Sequence, residues 1–299
     1  MTAAPPRSAA ISARAYTTLV ALALALAVAV AVALVPAFVL VPRAWAARMS
    51  DGGFTDERAL GESLPGPFVD YWNSGDREFP PDLARLVDYW FHYHVAKAVI
   101  AALLLIVLVA LGSGLWKVFL RAGGLGAGSR AALASAGVLV TTLALFSLAA
   151  LMANIQGAVA PFSSLLPMLP LDAPEGELAA ALDQIKQGLA ENPNPNVSPN
   201  ANDRTTPALQ EMISDFSRYH AVIAVAAAIV GAVLVGVSVV LWKRFARTGA
   251  SDRRTRRVLG SFGVLSALLS PAMIVVAVAN AITTADSTPA LLGFFEGGW

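Results

Sequence analysis

The sequence predicts an all-α integral membrane protein. It has five transmembrane helices: an N-terminal anchor helix and two tandem-duplicated hairpins in parallel repeat, with a small helical extracytoplasmic cap. Three observations predict this. The 299 residues are 57% hydrophobic and only 14% charged, where a soluble domain carries about a quarter charged residues. Five apolar stretches are long enough to cross a bilayer. The chain also aligns with itself at one constant offset.

A span needs about 20 apolar residues to cross about 30 Å of hydrocarbon. The qualifying stretches are 17–41, 95–116, 132–155, 221–242 and 258–283. None holds an Asp or Glu, and their one charged residue is Lys97, close enough to an end to snorkel outward.

Charges between the stretches set the orientation. Arg7, Arg14, Lys117, Arg121, Arg130, Lys243, Arg244, Arg247, Arg253, Arg254, Arg256 and Arg257 fall in segments whose one acid is Asp252. The other 19 acids lie in 42–94, 157–218 and 284–299. The positive-inside rule therefore puts the N-terminus in the cytoplasm and the C-terminus outside. Arg43 and Arg48 make the first stretch ambiguous by itself; the seven basic residues of the 243–257 loop decide the orientation. Tyr16, Trp116 and Trp242 fall at inner boundaries, and Tyr89, Trp90, Tyr93 and Tyr219 at outer ones, as interfacial aromatics do. The heavy use of Ala, Gly, Val and Arg points to a bacterial source, hence to the plasma membrane. The first stretch could instead be a cleaved signal peptide ending near Ala44-Trp45-Ala46. A signal core is about 7–15 residues, shorter than this stretch, so a retained anchor is expected.

Residues 81–166 align without gaps on 207–292 at an offset of 126, with 28 identities in 86 positions. The matches include Tyr93-His94 with Tyr219-His220, Leu115-Trp116-Lys117 with Leu241-Trp242-Lys243, Arg130 with Arg256, Gly137 with Gly263, and Asn154 with Asn280. Shared Ala and Val would follow from composition alone, but shared Trp, His, Arg and Asn in one register would not. Both copies run outside to inside and back, so a pseudo-two-fold axis along the membrane normal is expected. The predicted organisation is a cytoplasmic N-terminus (1–16), anchor helix (17–41), outer loop (42–80), first repeat (81–166), outer helix and linker (167–206), second repeat (207–292) and outer C-terminus (293–299).

Each repeat opens on a proline, Pro81 or Pro207, which suits the first turn of a helix. Apolar residues continue at helical spacing through Leu83, Leu86, Val87 and Trp90, and through Leu209, Met212, Ile213 and Phe216. The second and fourth spans should thus begin about three turns above the membrane. Leu178, Leu182, Ile185 and Leu189 mark a further amphipathic helix, and the Pro- and Asn-rich run 192–200 reads as linker.

All three histidines, His92, His94 and His220, lie at the expected outer mouth. His94 shares a helical stripe with Ala98, Ala101 and Ala102, and His220 with Ala224, Ala227 and Ala228. Small residues so spaced mark close helix contacts, so both rings should face the bundle. Asn154 and Asn280 end the returning helices at the same level. The cluster His94, Asn154, His220 and Asn280 reads first as two structural His–Asn hydrogen bonds with no cofactor. The alternative is a site for a transition metal, a haem or a small polar ligand, with His92, Asp88 and Asp215 as possible extra metal ligands.

Other features carry less. Gly123, Gly124, Gly126 and Gly128 follow no strand, so a phosphate cradle is not expected. The basic 243–257 loop suffices as a topology determinant, although it could also touch acidic headgroups. Pro36 and Pro271 are expected to kink their helices. No nucleophile–base arrangement is visible, and the absence of cysteine excludes thiol nucleophiles, disulfides and thiolate metal sites. The expected role is a non-enzymatic scaffold or accessory subunit that meets the lipid bilayer and a membrane or extracytoplasmic protein, and no nucleic acid. The alternatives are a metal- or haem-binding oxidoreductase and a transporter of a neutral or lipidic solute. Ion-coupled transport is disfavoured, because no carboxylate lies at mid-membrane.

Overall fold

The computed structural model describes residues 13–50, 53–121, 126–172, 174–191 and 206–298, with side chains from residue 22 onward. The Pro/Asn-rich run 192–200, Gly123, Gly124 and the first twelve residues lie outside that set. Among the described residues every regular element is helical. The helices are α1 (Ala13–Met49), α2 (Glu57–Ser63), α3 (Pro65–Ser74), α4 (Pro81–Arg121), α5 (Ala127–Val159), α6 (Pro161–Leu165), α7 (Gly176–Glu191), α8 (Pro207–Arg247), α9 (Arg253–Ala285) and α10 (Ser287–Phe295).

Five of them, α1, α4, α5, α8 and α9, are long and apolar enough to cross a membrane. Many of their apolar side chains stay uncovered by protein: Ile106, Phe146, Leu268 and Ile282 are each about two-thirds exposed. Apolar surface on that scale needs a non-aqueous solvent, and this is a polytopic helical membrane protein. α1 continues through Pro36 and α9 through Pro271.

Helix lengths repeat. α4 and α8 have 41 residues each and start at 81 and 207; α5 and α9 have 33 each and start at 127 and 253. The short helices α6 and α10 start at 161 and 287, the same 126-residue interval. Pro207 occupies the first turn of α8, where a missing N–H costs nothing, and the Thr206 hydroxyl accepts from Leu209 N at 3.2 Å as the cap. α4 and α8 each start 14 residues before their apolar stretches (81 against 95, 207 against 221), or about 21 Å of helix.

Residues group into two compact units, one of residues up to 37 with 100–148, the other of 38–99 with everything from 149 on. In the first, Leu108, Leu111 and Val140 form a buried cluster against Leu24, Ala27 and Ala31. Trp116 lies over Gly137, where a Cβ would sit 2.9 Å from the indole, and its Nε1 donates to Thr141 Oγ1 at 3.3 Å. Ser147 Oγ donates to Ala101 O at 2.8 Å.

The second unit holds the α8–α9 pair, with Trp242 over Gly263 as Trp116 lies over Gly137. It also holds the largest core. Leu60 of α2, Phe68 and Tyr71 of α3, and Leu83, Leu86 and Trp90 in the opening turns of α4 are all buried there. Phe162 and Leu165 of α6, Ile185 and Leu189 of α7, Leu209 and Met212 of α8, and Leu291 and Phe295 of α10 complete it. The apolar face of α7 supplies Leu178, Leu182, Ile185 and Leu189, none more than 6% exposed. The Tyr71 hydroxyl donates to Ala208 O at 3.1 Å. Burial first, then the Glu211 and Asp215 carboxylates, push its phenol pKa up, so the ring stays neutral and keeps that bond.

Candidate functional site

Two histidines are held by the same device. From α4, His94 Nδ1 meets Asn154 Oδ1 of α5 at 3.0 Å; from α8, His220 Nδ1 meets Asn280 Oδ1 of α9 at 2.7 Å. Each asparagine is anchored by its own helix. Asn154 Nδ2 donates to Ala150 O at 2.7 Å and Asn280 Nδ2 to Val276 O at 2.8 Å. Those amide bonds fix the orientation of the asparagines, since only the NH2 end can face a carbonyl. The oxygen end therefore faces the imidazole, and the proton is assigned to Nδ1. A neutral ring so placed keeps Nε2 as an acceptor. The asparagine thus sets both the position of each histidine and its tautomer.

The two rings differ in their surroundings. His94 Nε2 is buried. Gly157 packs against the ring so closely that a Cβ there would sit 2.6 Å from Nε2, and Trp90 meets it edge-on at 4.6 Å. Among the described residues, His94 Nε2 and Trp90 Nε1 are both buried with no hydrogen-bond partner. Residue 283, 126 positions after Gly157, is Thr283, and His220 borders a cavity of about 190 Å³. Leu166, Phe216, Tyr219, Thr283 and Phe294 line it beside the imidazole. Phe216 also meets the His220 ring edge-on at 4.5 Å.

No family model, curated protein or solved structure matches the chain. Its chemistry is therefore read from the side chains alone.

The remaining candidate ligands are engaged elsewhere. His92 Nδ1 lies 2.9 Å from Asp88 O and 3.5 Å from the Asp88 carboxylate, one turn back on α4. Asp215 is 4% exposed and serves α6: its Oδ2 accepts from Ser163 N at 2.7 Å, and its Oδ1 from Arg218 Nη1 at 3.0 Å. α6 has no side-chain cap of its own, so α8 supplies one from across the fold. Among the described residues no three His, Asp or Glu side chains converge as a metal set would.

Sequence reasoning missed two features. Glu57 Oε1 accepts from the Tyr93 hydroxyl at 2.6 Å, and that hydroxyl accepts from Lys97 Nζ at 3.0 Å. Lys97 also lies over the Tyr93 ring at 4.6 Å and the Phe38 ring at 5.2 Å. The Tyr93–Lys97 spacing of four was a visible signal; Glu57, on another helix, was not. The cavity was the second feature, and the exchange of glycine for threonine between positions 157 and 283 was its only trace.

Proposed function

We propose that the chain is a non-enzymatic scaffold or accessory subunit of the bacterial plasma membrane that engages a partner protein through an extracytoplasmic helical cap. The observation that carries this reading is the core built from α2, α3, α6, α7, α10 and the opening turns of α4 and α8. Those short helices bury their apolar faces on one another and turn Arg58, Glu62, Asp183 and Gln187 outward. The polar groups inside the fold support the reading too. His94, His220 and Asp215 each hold another part of the chain in place.

The same reading takes 81–166 and 207–292 as a tandem duplication. Support comes from the equal helix lengths, the 126-residue interval, the paired His–Asn bonds and the paired Trp-over-Gly contacts. The segregation of basic residues supports taking the N-terminus as cytoplasmic, and the cap and C-terminus as outside.

The test is site-specific photo-cross-linking in intact cells. A photoreactive side chain at Asp183 or Gln187, both exposed on α7, should give one adduct of discrete mass, and the same probe at Ser251 should not. A chain that gives no adduct from α2, α3 or α7, and that leaves the membrane in mild detergent unaccompanied, refutes the scaffold reading.

A second reading, a metal or haem centre, is favoured by one observation. An imidazole that donates Nδ1–H to an amide oxygen and keeps Nε2 free is arranged as metal-ligating histidines are. Absorbance and metal analysis of the purified chain separate the two readings: a bound chromophore or stoichiometric metal that His220→Gln removes would displace the scaffold.

A further inference from the structure

We propose that the cavity beside His220 is a binding site for a small apolar aromatic alcohol, a phenol or hydroquinone ring whose hydroxyl donates to His220 Nε2. This stands apart from the scaffold reading and does not depend on it.

The argument starts from the tautomer. Asn280 holds the proton on Nδ1, so the opposite edge of a neutral His220 offers an acceptor and no donor. The free imidazole nitrogen repels an anion rather than binding it; the other polar groups on the wall are the Ser163, Tyr219 and Thr283 hydroxyls. A metal finds one nitrogen and, on the cavity wall, no second His, Asp or Glu to complete a set. A ligand that carries a hydroxyl or N–H satisfies the ring.

The rest of the ligand must be apolar and flat. Phe216, Tyr219 and Phe294 supply aromatic walls, which favour an aromatic guest through edge-to-face contact. Size agrees: an engineered cavity of about 150 Å³ accepts benzene, so about 190 Å³ accommodates one ring with small substituents.

The contrast with His94 sharpens the inference. There the same His–Asn device stands with Gly157 against the ring and Nε2 buried. The hydrogen bond to asparagine therefore suffices to hold a histidine in this fold, and it does not require a cavity. The opening at His220 is a separate property, with the imidazole on its wall and Nε2 as the ring nitrogen not engaged by Asn280.

The probes are 4-ethylphenol and its methyl ether, 4-ethylanisole, which has the same ring but no donor. The full chain in lipid nanodiscs is titrated by calorimetry, with empty nanodiscs subtracted. The wild type should bind the phenol saturably and the ether about fivefold more weakly, the worth of one neutral hydrogen bond. His220→Phe should abolish that preference. Ala290→Phe, on the cavity wall, should remove saturable binding by filling the space while leaving His220 in place. Equal affinity for phenol and ether in the wild type overturns the proposal. So does binding unchanged by Ala290→Phe, or uptake no greater than that of empty nanodiscs. If His220→Phe does not fold, the phenol–ether comparison and Ala290→Phe still decide.

Discussion

At the scale of the residue, each histidine depends on one asparagine oxygen. Replacing Asn154 with alanine leaves the Nδ1–H of His94 without an acceptor, which costs about 1–3 kcal/mol for a buried donor. Asn280→Ala leaves the Nδ1–H of His220 without its acceptor in the same way and should cost a similar amount. Denaturation of the two variants in matched detergent checks this; an unchanged stability in either would show that the ring is held by something other than its asparagine. The facing of His94 and Asn154 was legible because counting rise along two helices puts them at one level. The orientation of the asparagine was not legible, since it depends on the Ala150 carbonyl. Nor was the Glu57–Tyr93 bond, which joins residues 36 apart, a pairing set by how the chain turns between helices.

At the scale of the element, two glycines on returning helices make opposite predictions. A Cβ at Gly157 would lie 2.6 Å from His94 Nε2, and that ring is already fixed by Asn154. Gly157→Ala must therefore push the imidazole off its partner and destabilise the fold. At Gly260 the nearest atom is 3.5 Å away on the Phe245 ring, an ordinary contact. Gly260→Ala should be neutral or stabilise by up to about 1 kcal/mol, through the helix propensity regained. Asp215 supplies a third case. Asp215→Ala removes the acceptor that caps α6 from outside, for about 1–3 kcal/mol, whereas Asp215→Asn keeps an oxygen and should lose less. Thermal unfolding of the four variants decides each comparison. The long helices and α7 were legible because their apolar residues recur over many turns. α2, α6 and α10, with 7, 5 and 9 residues, are too short for periodicity to show. What makes them helical is the shared core, including a cap lent by α8.

At the scale of the whole molecule, segregation of charge predicts topology. Cysteines introduced singly at Glu62 and Glu177, both exposed, should react with an impermeant thiol reagent in intact cells; a cysteine at Ser251 should react only after lysis. Labelling of Ser251 in intact cells would reverse the orientation. Ser287, otherwise a natural choice near the C-terminus, is 6% exposed and makes a poor probe. The five spanning-capable helices were open to sequence reading, because membrane solvation writes itself into composition. The extent of the short-helix core was not, because it joins residues from Ala46 to Phe295.

α8 ties these scales together mechanically. Its 41 residues make a rod of about 60 Å, twice the roughly 30 Å of hydrocarbon it would have to cross. A rod that long, seated in a bilayer on the proposed topology, is a lever. If its tilt changes by about 10° as the membrane thins or thickens, its free end travels about 5 Å sideways. That end carries Leu209, Met212 and Asp215, so the movement reaches the packing of α6 and α7 directly. Bilayer thickness would thus become a force on the outer face of the protein.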